Sequence, residues 1–274
     1  MTLRIFAALA IAGFSTCAAA ADEGKYPDWT AQYARVGGAG GLDPSKPSGN
    51  GQQIPLNARM QAYFDSVEAN RKAGGLVDNF STSCVPLGMP RVMINYEIMD
   101  MMVTPAATYL WFTESNELRR IYTDGRNFPD PLVPSYLGTS IGEWKDTTGS
   151  GKFDTLEVET RGFVGPREYD SAGLPLDRDN QSVFNERFSV DPSKANVVND
   201  VITTRDNGLT RPWTLTRQYR RAKKNNFSDT ICALDTAYLI LGDENYFISA
   251  DGFLMPAKKG QKPPDLKYFP NAGK

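Results

Sequence analysis

Residues 118–160 read LRRIYTDGRNFPDPLVPSYLGTSIGEWKDTTGSGKFDTLEVET, and the fold is decided there. Leu118, Arg120 and Tyr122 fall on one side of an extended segment, with Arg119 and Ile121 on the other, the period of two of a β-strand. Pro129, Pro131 and Pro134 follow. Proline lacks the N–H that helix interiors and central strands use, so this stretch crosses between elements. A second strand over 140–144 ends in Trp144, a polar loop follows, and 155–162 alternates strictly between apolar and polar residues. That alternation predicts a strand with one face buried, paired across the loop with 140–144.

Working outward, 92–99, 101–114, 183–190, 197–204, 213–221, 237–241 and 246–249 also read as strands. Turn residues at 170–173, 191–192, 206–208 and 242–245 separate them. Eight to ten short strands with turn-rich joins predict an all-β chain, a single antiparallel barrel or strongly curled sheet. One helix is expected over 55–72, where Met60, Phe64 and Val67 recur at i, i+4 and i+7 with Tyr63 beside them. Pro55 suits its first turn, and Gly74 with Gly75 ends it. Residues 22–53 are rich in Gly, Pro, Asp and Ser and predict an extended arm lying on the body, pinned by Tyr26 and Trp29. The glycine run at 37–41 lacks the preceding strand and following helix of a nucleotide loop. The expected organisation is a targeting segment over 1–21, the arm over 22–53, and a helix-plus-barrel domain over 54–274 that ends in a polar tail.

The start has the three parts of a secretory signal: Arg4, an apolar run over 5–14, and small residues over 18–21. The run is too short to span a bilayer, which takes roughly 20 residues. Phe14, Ser15 and Thr16 before Cys17 do not make a lipobox, so a cleaved signal and a periplasmic or secreted location are expected rather than a lipoprotein. No later apolar run is long enough for a transmembrane span. The charges nearly balance, with 30 Lys+Arg against 32 Asp+Glu, which offers no electrostatic case for nucleic acid or an anionic membrane surface. Cys84 and Cys232 remain after cleavage, and in an oxidising compartment an even pair reads first as a disulfide, with two buried thiols as the alternative. The chain has no histidine. This excludes Ser-His-Asp and Cys-His catalysis and His-ligated metals, and leaves acid–base work to Asp, Glu, Tyr or Lys.

Residues 146–157 fit the register of a twelve-residue calcium loop. Asp146, Thr148, Ser150, Asp154 and Glu157 stand at its positions 1, 3, 5, 9 and 12, and Gly151 at the sixth, where the backbone turns sharply. The other reading is a long hairpin loop of ordinary turn residues. Two basic-aromatic strands carry Arg119, Arg120 and Tyr122, and Arg217, Tyr219 and Arg220; facing inward at a barrel mouth, their guanidiniums would clamp an anionic group. Facing outward, they would be a charged surface. Trp111, Trp144 and Trp213 line an apolar cavity or fill the core.

Six phrases occur in order: CVPLGMPR at 84–91, RRIYTDGR at 119–126, GTSIGEW at 138–144, DTLEVET at 154–160, ERF at 186–188 and LTRPWT at 209–214. Together they resemble a broad group of exported bacterial proteins of uncharacterised function, over roughly 26–269. The resemblance implies export and a calycin-like all-β barrel, and it names no catalytic residue. Relatives commonly carry a short acidic-glycine turn or a more acidic DxDGDG-like loop where this chain has 146–154, which weakens the case for calcium. They also carry a His near 175–180, where this chain has Asp177.

Three functional expectations follow. The first is a periplasmic barrel binding a small, largely apolar or amphipathic molecule with an anionic group, with Trp111, Trp144, Trp213 and Tyr122 as walls and Arg120 or Arg217 as anchor. The second is a histidine-independent enzyme, a lyase, isomerase or hydrolase, using Tyr122, Asp124, Asp177 and Glu186. The third is an interaction module of the cell envelope whose barrel interior is filled.

Overall fold

Alternating strands close on themselves. The computed structural model describes residues 23–37, 41–74, 84–94, 98–191, 193–224, 238–241, 244–248 and 254–261, and the statements below concern these. Nine strands form a closed barrel in chain order: β1 (Ala31–Arg35), β2 (Ile98–Val103), β3 (Ala107–Phe112), β4 (Glu117–Tyr122), β5 (Thr139–Lys145), β6 (Thr155–Arg161), β7 (Val183–Asp191), β8 (Lys194–Arg205) and β9 (Trp213–Arg221). A separate three-stranded sheet contains β10 (Tyr238–Leu241), β11 (Glu244–Ile248) and β12 (Leu254–Pro256). The expected all-β barrel with one helix is what the chain forms. No helix among the described residues is long and apolar enough to cross a membrane.

The ring has an odd number of strands. Each antiparallel neighbour reverses the chain direction, so a closed ring of nine cannot be antiparallel throughout. The odd link is β4–β5, where Ile121 pairs with Ser140 and Tyr122 with Ile141 in parallel; the other links are antiparallel. A parallel link needs a crossing of a dozen or more residues. The proline-rich residues 123–138 supply it. The barrel is antiparallel, as expected, except at this one seam.

Two further expectations change. Residues 91–94 form a 3-10 turn instead of opening a strand, and Val92, Met93 and Ile94 are buried. Met93 reaches the barrel core, where its carbonyl accepts from the Tyr219 hydroxyl at 2.7 Å. The N-terminal arm does not merely lie on the body. Its β1 closes the ring between β2 and β9, and Leu42 beyond it is fully buried.

The helix α1 (Ala58–Lys72) matches its expected position. Asn57 caps it, with Oδ1 accepting from the Met60 N–H at 3.0 Å. The same residue ties the helix to the barrel, its N–H donating to the Gly208 carbonyl at 2.8 Å. Met60 and Phe64 turn inward from α1, and Tyr63 is half-buried.

At the seam, Gly142 faces the core. A Cβ there would stand 2.7 Å from Ile121 Cγ2 and 3.1 Å from Leu156 Cδ1. Gly142→Ala is expected to destabilise the fold by about 1–3 kcal/mol through overpacking, read as a lower urea midpoint with an unchanged m-value; an unaltered midpoint would contradict the tight seam.

Candidate functional site

The barrel interior comes first, because a ligand site was expected there. It is filled. Arg119 of β4 is 1% exposed and forms a two-pronged ion pair with Glu186 of β7, Nη1 donating to Oε1 at 2.8 Å and Nη2 to Oε2. Its remaining donors go to Ser140 Oγ at 3.3 Å, Thr160 Oγ1 at 2.9 Å and Met93 Sδ at 3.4 Å. Arg217 of β9 donates to the carbonyls of Gly41, Leu42 and Ile94. Such pairing is what lets charge persist in a low-dielectric core. At one end Trp144 packs against Trp29 and Tyr26; at the other Trp213 meets Tyr169 edge-on. An apolar gap beside Trp29, Leu110 and Phe188 has no room for a water molecule.

Between these layers sits Asp200 of β8, opposite Arg217 across the β8–β9 ladder. It is fully buried, and neither carboxyl oxygen has a hydrogen-bond partner. Burial pushes its pKa well above the usual carboxylate value, and Glu186 adds to the rise; Arg119 and Arg217 pull the other way without reversing it.

The residues expected to form one pocket wall are divided. Trp111, Arg120 and Tyr122 lie on the outside of the barrel, where Arg120 sits over the rings of Tyr109 and Tyr122. Trp144, Trp213 and Arg217 lie inside. They share no cavity, because alternation sends Arg119, not Arg120, inward. The acid–base candidates are scattered too. Tyr122 and Asp124 are outside, with Asp124 paired to Arg126; Glu186 is spent on Arg119; Asp177 stands elsewhere, against Arg59. Cys232 and residues 1–21 lie outside the described residues, and with them the expected disulfide and the cleavage region.

The 146–157 loop spends its oxygens internally. Asp146 accepts from the backbone N–H of Ser150 at 3.1 Å and of Gly151 at 2.7 Å. Asp154 accepts from the Thr147 N–H at 3.0 Å, its hydroxyl at 2.8 Å and the Thr148 N–H at 3.1 Å. Desolvation opposes ionisation of Asp154, yet the bonds from Thr147, Thr155 and Thr148 outweigh it and hold the pKa at about 2. Thr148 and Ser150 hydroxyls are engaged within the loop, and Glu157 is exposed, 4.0 Å from Arg187. Among the described residues no three His, Cys, Asp or Glu side chains converge as a metal site. The donor set does not fit calcium in this arrangement; it is an Asx-type hairpin loop.

The geometry instead brings together a cleft between α1 and residues 165–178, of about 270 Å³. Met60, Val67, Pro166, Pro175 and Leu176 give it apolar walls, and Arg59, Arg167, Arg178, Glu168 and Asp177 give it charge. The 165–178 segment is held from within. Asp170 accepts from the N–H groups of Ala172, Leu174 and Gly49, and Asp206 accepts from the Asp177 N–H at 3.0 Å. Sequence reasoning named only Asp177 here. Arg59 and Tyr63, four apart on α1, were the available signal; their partners Asp177 and Arg178 lie more than a hundred residues away.

Two outcomes are expected. Asp200 binds its proton more tightly folded than unfolded, so its linkage lowers stability as pH rises from about 4 through the folded pKa. Asp200→Asn removes that penalty and is expected to gain stability over the parent between acidic and neutral pH, measured by urea melts across that range; a difference independent of pH would refute it. Millimolar calcium is expected to leave the melting temperature unchanged, whereas Asp154→Ala lowers it; a calcium-dependent rise would restore the metal reading.

No family model, curated protein or solved structure matches this chain, and the case for function rests on its own residues.

Proposed function

We propose that this is an exported protein that binds a small, largely apolar molecule in the cleft between α1 and residues 165–178. The observation that carries this is the cleft's make-up: apolar side chains around about 270 Å³, with a few polar groups at defined places. That is how small-molecule sites are built, and the volume lies at the lower edge of their usual range of roughly 300–1,000 Å³. Export is supported by the basic, apolar and small-residue start, and the two cysteines left after cleavage, Cys84 and Cys232, suit an oxidising compartment. The site moves from the barrel interior, where the sequence suggested it, to the barrel's flank.

One observation favours the envelope interaction module as a second reading. The interior is filled, and the outer face of β2–β4 exposes Met102, Trp111 and Leu118, an apolar surface of the kind that marks contact sites.

Small neutral probes such as 1-hexanol and phenol are expected to perturb the amide resonances of Met60, Tyr63 and Leu176. Val67→Phe, which drives a ring into the cleft, is expected to weaken that binding about tenfold or more, since roughly 1.4 kcal/mol is enough for a factor of ten. Equal binding by parent and variant, or perturbations confined to the β2–β4 face, would overturn the cleft in favour of the second reading.

A further inference from the structure

We infer that the cleft selects a small monocarboxylic acid, with its apolar body against Met60, Val67 and Leu176 and its carboxylate held by Arg178, supported by Arg167. This rests on the cleft being the binding site and adds the class of ligand.

Two carboxylates line the cleft, and each is already committed. Glu168 pairs with Arg91, both buried, and Asp177 pairs with Arg59. Arg167 is 5% exposed and touches no carboxylate. Its Nη1 donates to the Met89 carbonyl at 2.9 Å and its Nη2 to Ser182 Oγ at 3.0 Å. Its guanidinium lies 4.0 Å over the Phe163 ring, and its Nε–H has no acceptor. Asp206 reaches it only through Ser182, whose hydroxyl donates to Asp206 Oδ2 at 2.5 Å. Arg178 has less still. It stacks over Tyr63 at 5.4 Å and donates to the Tyr63 hydroxyl at 3.4 Å. Its neighbour Asp179 is turned away to the Gln181 N–H and the Asn207 side chain.

A buried guanidinium without an ion pair is costly unless something anionic repays it. Desolvation lowers the pKa of Arg167 to about 10, against the opposing pull of Asp206, which leaves it charged at neutral pH. One exposed guanidinium beside an aromatic ring, with a second, buried one lining the same cleft, suits the planar oxygens of a single carboxylate. The apolar walls then set the rest of the ligand. The volume holds roughly nine water-sized groups, given about 30 Å³ for each, which is an acid of about six carbons.

The test compares three probes with one tail: hexanoate, 1-hexanol and hexylammonium, titrated into the full chain by calorimetry and by amide shifts at neutral pH. Hexanoate is expected to bind about tenfold or more tightly than hexanol, the ratio a charge-assisted hydrogen bond supports, and hexylammonium more weakly than either. Arg178→Gln, an exposed substitution, is expected to bring the hexanoate and hexanol affinities together when both are titrated into that variant. Arg167→Met should do the same if it folds, and Arg178→Gln decides the matter if it does not. Equal affinity of hexanoate and hexanol in the parent, or an advantage that survives Arg178→Gln, overturns the inference while the cleft itself stands. Failure of all three probes to bind overturns both.

Discussion

A guanidinium inside a barrel is costly unless its charge and donors are answered, and Arg119 is the residue whose answer organises this molecule. Glu186 takes two of its N–H groups, Ser140 and Thr160 take others, and these come from β4, β5, β6 and β7. One side chain therefore fixes the inward register of four consecutive strands. A slip by one residue on any of them would turn its partner to solvent and strand a buried charge, a penalty of several kcal/mol. Arg217 does the same for the irregular segments, drawing carbonyls at 41, 42 and 94 into the core. The interior is full because these groups must be satisfied, and a full interior leaves binding to the flank.

The parallel seam follows from closure, not from local preference. Nine strands in sequence order require at least one parallel link, and the proline-rich connection 123–138 is long enough to make the crossing. Gly142 stands where β5 meets β4, and its missing side chain makes room for Ile121. The covalent path and the packing thus agree at the same place.

The alternation in 118–122 and 155–161 was readable as strand, and the faces were separated correctly. Which face points inward was not readable. Leu118 and Trp111 look like core and lie outside, whereas Arg119 looks like surface and lies at the centre, because its partner Glu186 is 67 residues away. Hydrophobicity orders faces only when the core is apolar, and this core is partly ionic. The arm failed for a related reason. Residues 31–35, AQYAR, have little strand character alone, and they become β1 only between Met101 of β2 and Arg221 of β9. Tertiary context of this kind overrides local propensity. The 146–157 loop was legible as a loop, but its acidic register served equally for cation ligation and for Asx turns, and the backbone N–H groups that decide between them carry no sequence signal.

The cleft shows why the flank is the place to look. Its walls come from α1 and from 165–178, neither of which belongs to the barrel wall, so both are free of the register constraint that Arg119 imposes. Yet both are anchored. Asn57 ties α1 to Gly208, and Asp206 bonds Gly208, Asp177 and Ser182 together. Rigid placement by a filled barrel, with side chains released from the duty of filling it, is the condition for a preformed site. The carboxylates in this region are consumed in that anchoring, by Arg91, by Arg59 and by backbone N–H groups. What the anchoring does not consume is the positive charge of Arg178, which stands exposed beside an apolar wall with the ring and hydroxyl of Tyr63 as its neighbours.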